Sequence, residues 1–188
     1  MHMKKRVFII HGWGGSPDAN WFPWLKEELE KKDFEVIVPQ MPNADFPMEG
    51  EWIKKMHSTI SDPNSNVILV GHSLGVISIL RYLESLSEEV NVGGAILVAG
   101  FSESLGTISE IENFFTTSVN YEKVKSCCKK FIVISSDDDP YVPTEKGKLL
   151  YDKLDAKFIL LNGAGHINMG TGYLKLPVVL EEILKMTK

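Results

Sequence analysis

The fold is decided by residues 67–86, which read VILVGHSLGVISILRYLESL. The apolar run at 67–70 predicts a buried strand, and the almost continuously apolar stretch at 74–86 predicts a buried helix. Between them lies GHSLG at 71–75, a Gly-x-Ser-x-Gly pattern. A serine at the apex of a sharp turn from a strand into a helix is raised above the edge of the sheet. We therefore predict that Ser73 is a nucleophile.

Short apolar runs alternate with helical patterns on both sides of this stretch. The predicted strands lie at 6–10, 35–38, 67–70, 94–99, 131–135 and 157–161, and the predicted helices at 21–31, 51–60, 74–86, 144–154 and 177–186. Strands that are apolar on both faces are typical of a parallel sheet covered by helices on both sides. The sequence therefore predicts an α/β fold, a three-layer α/β/α sandwich around an open, mostly parallel, six-stranded sheet.

The length of 188 residues suits a single domain over 1–188. The longest stretch without a predicted strand is 100–130, and we expect it to hold one or two short helices. A stretch of that length can form a small lid but not a large cap domain.

Composition and charge exclude several classes of protein. The formal net charge is −5 and no cluster of Lys and Arg stands out, so we expect no nucleic-acid partner. No apolar run approaches the roughly 20 residues of a membrane span, so we expect no membrane partner. The two cysteines, Cys127 and Cys128, are adjacent, which favours reduced thiols and a cytoplasmic location. No Cys or His spacing is typical of a metal site, and we predict neither a metal nor a cofactor.

A glycine-rich segment, NGAGH at 162–166, follows the last predicted strand. In chains with a Gly-x-Ser-x-Gly turn between a strand and a helix, the nucleophile, the acid and the histidine occur in that order. Of the five histidines, only His166 follows Ser73. We predict that His166 is the general base, and the alternative is an ordinary loop histidine among flexible glycines.

Three adjacent carboxylates compete for the role of the acid, which must orient the imidazole and stabilise its charged form. They lie in SDDDPYVP at 136–143, directly after the predicted strand at 131–135. We choose Asp139, because the proline that follows keeps its backbone out of the helical region. Asp138 is the alternative. The carboxylates that do not fill this role are expected to be loop groups exposed to solvent.

A second glycine-rich loop, HGWGG at 11–15, follows the first predicted strand. It lacks the Gly-Lys-Ser/Thr ending of a nucleotide-binding loop, which argues against phosphate binding. We predict that the backbone N–H groups of Trp13 and Leu74 form an oxyanion hole. A small, partly aromatic pocket is expected beside Ser73, and its predicted lining is Trp13, Phe101, Phe114, Tyr141 and Ile167.

Finer features narrow the family. The segments NWFPWL at 20–25, PQMPN at 39–43 and EWI at 51–53 resemble the small serine hydrolases of the retinoblastoma-binding protein 9 and YdeN type. The resemblance covers essentially the whole chain. It implies a compact α/β-hydrolase without a large cap domain, with a triad at Ser73, Asp139 and His166. The acid of this family matches the Asp-Pro-x-x-Pro register, which places it at Asp139.

Together these features predict a carboxylesterase-like serine hydrolase. It would cleave small or medium acyl esters through an acyl-enzyme intermediate, with a small neutral acyl compound as its partner. The alternatives are a peptidase or thioesterase that uses the same triad, or a protein-interaction module on a hydrolase scaffold. The sequence names no protein partner.

Overall fold

Six strands form one central sheet in a computed structural model that describes residues 4–188, so that residues 1–3 of the predicted domain lie outside the described part. The strands are β1 (Arg6–Ile10), β2 (Glu35–Ile37), β3 (Val67–His72), β4 (Gly94–Val98), β5 (Phe131–Ser136) and β6 (Lys157–Leu161). Their order across the sheet is β2-β1-β3-β4-β5-β6, and every pairing is parallel. The predicted six-stranded sheet is confirmed, with strand ends that differ by one or two residues.

Between residues 4 and 188, six α-helices connect or follow the strands: α1 (Phe22–Glu30), α2 (Glu49–Thr59), α3 (Leu74–Ser85), α4 (Tyr121–Cys127), α5 (Thr144–Leu154) and α6 (Pro177–Met186). Two short 3₁₀ helices lie at Ser109–Phe115 and Met169–Thr171. The five helices predicted from the sequence are present, and α4 with the first 3₁₀ helix occupies the stretch 100–130. Within the described residues no helix is long and apolar enough to cross a membrane.

Two apolar clusters cover the two faces of the sheet. Alternate residues of a strand point to opposite faces, and in β1 Phe8 and Ile10 belong to one cluster while Val7 and Ile9 belong to the other. The first cluster includes side chains of α2, α3, α4 and α5, and the second includes side chains of α1 and α6. The predicted three-layer sandwich is therefore confirmed.

The start of α3 lies against the end of β1, and this approach requires glycine. A Cβ atom at Gly75 would lie 2.2 Å from the carbonyl oxygen of Ile10. A Cβ atom at Gly71 would lie 2.9 Å from the backbone of Gly75. The two glycines of the Gly-x-Ser-x-Gly pattern therefore allow α3 to begin directly above the centre of the sheet.

The segment that follows β4 is fastened to the body of the molecule by a buried arginine. Arg81 of α3 donates to the carbonyl oxygen of Phe114 through Nη2 at 3.0 Å. Its guanidinium also pairs with Glu49 at 3.1 Å and with Glu84 at 2.9 Å. Asn113 adds a second link, because its side-chain oxygen accepts from the N–H of Glu49 at 2.7 Å. The 3₁₀ helix in this segment is thus a fixed wall beside the carboxyl edge of the sheet.

Gly75→Ala is expected to lower the free energy of unfolding by about 3 kcal/mol or more, because the new methyl group would collide with backbone that packing holds in place. Gly50→Ala is the matched control, since a Cβ atom at Gly50 meets nothing within 4 Å. That control should change stability by less than about 1 kcal/mol. Urea denaturation of both variants measures the difference, and equal stabilities would contradict the close approach of α3 to β1.

Candidate active site

Ser73 lies between β3 and α3 in a strained backbone conformation, with φ 55° and ψ −120°. Few residues other than glycine adopt positive φ, and the surrounding structure must hold them there. The N–H of Ser73 donates to the carbonyl oxygen of Val98 at 2.9 Å, which ties the turn to the end of β4. On the other side lies Gly12, where a Cβ atom would come within 2.9 Å of the Cβ of Ser73. The predicted strand-turn-helix geometry is present.

His166 and Asp139 are in direct contact. Nδ1 of His166 lies 2.8 Å from Oδ2 of Asp139, and the carboxylate accepts a bond from the protonated Nδ1. The other oxygen of Asp139 accepts from the N–H groups of Tyr141 and Val142 at 2.9 and 3.0 Å. The side chain of Asp139 is 3% exposed. A carboxylate held in this way fixes the ring so that Nε2 is the nitrogen that remains to accept a proton.

Ser73 and His166 line the same cavity, yet the described residues include no hydrogen-bond partner for Oγ of Ser73. Proton transfer from the hydroxyl to Nε2 of His166 requires a hydrogen bond between these atoms. Such bonds are often long or poorly aligned in apo structures and tighten in the complex with substrate. The structure therefore brings the predicted nucleophile, acid and base to one place without closing the bond between Ser73 and His166.

Trp13 and Leu74 line the same cavity as Ser73, and neither of their backbone N–H groups has an acceptor among the described residues. The direction of the Trp13 N–H is set by the Gly12–Trp13 peptide group, to which it belongs. The carbonyl oxygen of Gly12 accepts from the N–H of Gly15 at 3.1 Å and from Nδ1 of His11 at 2.8 Å. Because the C=O and N–H of a trans peptide point in opposite directions, the N–H of Trp13 points away from His11.

His11 is a supporting residue that the sequence interpretation did not single out. Its Nε2 accepts from the N–H of Met41 at 3.0 Å while Nδ1 donates to Gly12, which defines the neutral tautomer. Burial lowers the pKa of His11 below its usual value of 6.5. Its position directly after an apolar strand and before a glycine is the signal that could have found it.

His72 is the second supporting histidine, and it precedes the nucleophile in the chain. Its Nε2 donates to the carbonyl oxygen of His166 at 2.9 Å. The imidazole rings of His72 and His166 meet edge to face, with centroids 4.9 Å apart, and the Trp21 ring also meets His72 edge to face, with centroids 6.2 Å apart. Burial lowers the pKa of His72 to about 3, so that the ring stays neutral. His72 therefore connects the turn that carries Ser73 to the backbone of the loop that carries His166, which we call the histidine loop.

The cavity beside Ser73 has a volume of about 530 Å³. Trp13, Phe101 and Tyr141 line it, as predicted. The sequence interpretation missed six further lining residues: Leu105, Thr107, Ile108, Ile111, Val142 and Asn168. Four of the six are aliphatic, and none of the described residues in the lining is Asp, Glu, Lys or Arg, so the cavity is suited to an uncharged ligand. Across residues 4–188, no group of three or more His, Cys, Asp or Glu side chains is placed to hold a metal ion.

Phe114 and Ile167 do not line this cavity, and their assignment to the pocket is corrected. Phe114 is fully buried and packs edge to face on Trp52, with ring centroids 5.7 Å apart. Ile167 is also fully buried, in the cluster on the α1 and α6 side of the sheet. Its backbone has φ 49°, and its carbonyl oxygen accepts from Nε1 of Trp21 at 3.0 Å. The turn at Ile167 therefore directs the side chain into the core.

Asp137 and Asp138 are exposed, as expected, but they are not merely solvated loop groups. Oδ1 of Asp137 accepts from the N–H of Gly163 at 2.8 Å, and Oδ1 of Asp138 accepts from the N–H of Gly165 at 2.7 Å. Hydrogen bonds, first from the Ser136 hydroxyl and then from the Gly165 N–H, lower the pKa of Asp138. Both carboxylates therefore fasten the loop that carries the histidine.

Residues 7–185 match the family model of the serine hydrolases. The chain belongs to the serine hydrolase family. This serine hydrolase is 36% identical over 179 residues to YdeN of Bacillus subtilis (strain 168), an alignment that covers 95% of this chain and 94% of that protein. It is 29% identical over 170 residues to serine hydrolase RBBP9 of Rattus norvegicus, with coverage of 88% and 89%. The resemblance inferred from the tryptophan and Met-Pro-Asn segments is therefore confirmed.

Solved structures support the same conclusion about the fold of this serine hydrolase. The crystal structure of the ydeN gene product from B. subtilis matches it with a TM-score of 0.95 at 34% identity, covering 98% of this chain and 99% of that one. Est1E from Butyrivibrio proteoclasticus has a TM-score of 0.75 at 15% identity, with coverage of 98% and 88%. The compact α/β-hydrolase fold that the family resemblance implied is confirmed.

The buried, neutral His72 predicts how stability depends on pH. Unfolded His72 takes up a proton near pH 6.5, whereas folded His72, with a pKa of about 3, does not, so stability should fall as the pH falls from 6.5. His72→Gln keeps an N–H donor without a titratable ring. Between pH 6.5 and about pH 4.5, it should lose about 2 kcal/mol less unfolding free energy than the parent. Denaturant titrations at both pH values test this, and identical losses would contradict it.

Proposed function

We propose that this serine hydrolase is a carboxylesterase-like enzyme that cleaves small or medium acyl esters through an acyl-enzyme intermediate. The observation that carries the proposal is the Asp139–His166 hydrogen bond of 2.8 Å at the edge of the cavity that Ser73 lines. A carboxylate, an imidazole and a hydroxyl in this order form the arrangement that activates a serine. The two relatives that match over most of the chain support a hydrolytic role.

In the proposed reaction, Oγ of Ser73 attacks the ester carbonyl carbon and Nε2 of His166 takes the hydroxyl proton. The carbonyl oxygen becomes an oxyanion that accepts hydrogen bonds from the N–H groups of Trp13 and Leu74. His166 then donates its proton to the leaving alkoxide, and the acyl group remains on Ser73. Water attacks the acyl-enzyme with His166 again as the base, which releases the acid and restores the hydroxyl.

The lining of the cavity supports the substrate class. Because His166 protonates the leaving group, the alcohol portion would lie beside the neighbours of His166, which are Tyr141 and Asn168. The acyl portion would lie against Phe101 and against side chains of the segment after β4 that Arg81 holds, such as Ile111. A lining without charged groups favours neutral substrates over phosphorylated ones.

The proposed partner is therefore a small, neutral acyl compound. A cytoplasmic location is part of the proposal, and it is supported by Cys127 and Cys128, which are both buried and not joined in a disulfide. Membrane and nucleic-acid partners are not part of it.

Ser73→Ala should retain the fold and lose ester hydrolysis by a factor of about 10³ or more, because it removes the nucleophile. Ser58→Ala on the exposed face of α2 is the control and should keep the parental activity. Hydrolysis of a nitrophenyl ester gives the rates, and a fluorophosphonate probe reports covalent labelling of Ser73. A Ser73→Ala protein that hydrolyses the ester at the parental rate would refute the assignment.

Acetyl and butyryl esters should be cleaved with higher kcat/KM than laurate or palmitate esters of the same alcohol. Each methylene adds about 0.8 kcal/mol of binding only while the cavity has room for it. The segment after β4, which Arg81 and Asn113 hold in place, limits the space for a longer acyl chain. A series of nitrophenyl esters of increasing chain length measures the trend. A steady rise of kcat/KM up to palmitate would show that the segment encloses a tunnel for long chains.

A further inference from the structure

The loop that carries His166 has little regular structure of its own. It begins after β6 and contains two glycines with positive φ, Gly163 at 63° and Gly165 at 54°. Glycine in such conformations loses more backbone freedom on folding than any other residue. A loop of this composition would leave the imidazole poorly positioned unless other groups hold its backbone.

Side chains from the end of β5 and from residues 137–143, here called the acid loop, hold that backbone at three successive amides. The N–H of Gly163 donates to Asp137 at 2.8 Å, the N–H of Ala164 donates to Oγ of Ser136 at 3.0 Å, and the N–H of Gly165 donates to Asp138 at 2.7 Å. The next residue, His166, has its carbonyl oxygen bound by the His72 ring at 2.9 Å. Four consecutive residues of the loop are thus each tied to a side chain from another loop or strand.

Asp138 is the centre of this set. Its Oδ1 accepts both the Gly165 N–H and the Ser136 hydroxyl, each at 2.7 Å. Since Ser136 in turn accepts from Ala164, the carboxylate holds one amide directly and a second through the hydroxyl. Bonds to an ionised acceptor are about twice as strong as neutral ones.

We propose that Asp138 is a positioning residue that fixes the backbone from which the His166 imidazole projects. The inference rests on the proposed function, in which His166 moves the proton of Ser73. The Asp139 carboxylate contacts the His166 ring and sets its tautomer, whereas the Asp138 carboxylate accepts from the Gly165 N–H and the Ser136 hydroxyl. The two adjacent carboxylates therefore have separate roles: Asp139 orients the His166 side chain, and Asp138 holds the main chain that precedes it.

A shift of His166 changes proton transfer but leaves in place the lining residues that other segments contribute, such as Trp13, Phe101 and Ile111. A misplacement of about 1 Å can reduce the rate about 10²-fold. Asp138→Ala is therefore expected to lower kcat about 10- to 100-fold with KM within about twofold of the parent. The rate of fluorophosphonate labelling of Ser73 should fall in parallel, since it depends on the same base.

Asp138→Asn is the conservative variant, because its side-chain oxygen can still accept from Gly165. It should restore kcat to within about fivefold of the parent, whereas a purely electrostatic role would not be rescued by the amide. Asp152→Ala is the matched control, as Asp152 is exposed on α5 and has no side-chain hydrogen bond among the described residues. Ser136→Ala keeps the Asp138–Gly165 bond and should lower kcat about threefold to tenfold, so it tests the same set if Asp138→Ala does not fold.

The decisive experiment measures kcat, KM and labelling rate for these variants, with thermal unfolding to verify folding. A fall in kcat at unchanged KM, with rescue by Asp138→Asn, supports the positioning role. Parental kcat in folded Asp138→Ala, or an Asp138→Asn protein as impaired as Asp138→Ala, would overturn it. If Asp138→Ala does not fold, parental kcat in Ser136→Ala overturns it instead. Parental activity in Ser73→Ala would refute the proposed function itself, a result that these Asp138 variants cannot produce.

Discussion

The left-handed backbone at Ser73 is the constraint on which the rest of the structure depends. A residue other than glycine held in a sparsely populated region costs about 1–3 kcal/mol. Here that conformation is maintained by the bond from Ser73 N–H to Val98 and by close contacts at Gly12, Gly71 and Gly75. Those glycines bring β1, β3 and α3 so close together that a Cβ atom on any of them would collide. The packing of the sheet against α3 therefore stabilises the strained turn, and the turn raises the serine above the sheet.

Two histidines that take no part in the proposed proton transfer support the site as neutral side chains. His11 and His72 each donate to a backbone carbonyl, and burial lowers the pKa of both. A charged imidazole at either position would place a positive charge in the interior, which is costly without a partner. His166 differs because its ring meets the Asp139 carboxylate, which can stabilise a positive charge. In the proposed reaction, the same residue type thus supports the backbone at His11 and His72 and carries the proton at His166, according to its neighbours.

Sequence patterns predicted features that neighbouring residues determine. They did not predict side-chain orientations or contacts between distant segments. Strand and helix positions followed from apolar periodicity, and the prediction of Asp139, whose carboxylate contacts the His166 ring, was based on the proline beside it. Phe114 and Ile167 were misplaced, because a 3₁₀ helix and a positive φ turn these side chains toward the core. The supporting roles of His72 and Asp138 depend on contacts between segments about 94 and 27 residues apart in the chain, which no local pattern encodes.

The side chains of the candidate site are held in position by hydrogen bonds between loops more than by the strands from which the loops extend. Loop residues are mobile unless they are tied, and a proton-transfer site needs its groups held within fractions of an ångström. Here the acid loop binds its own amides through Asp139 and the amides of the histidine loop through Asp137 and Asp138. The loops after β5 and β6 therefore form one cross-linked unit, and adjacent strands β5 and β6 set its position. A change that shifts β5 and β6 together relative to β3 would displace Asp139 and His166 together, so their mutual contact would persist while both moved away from Ser73.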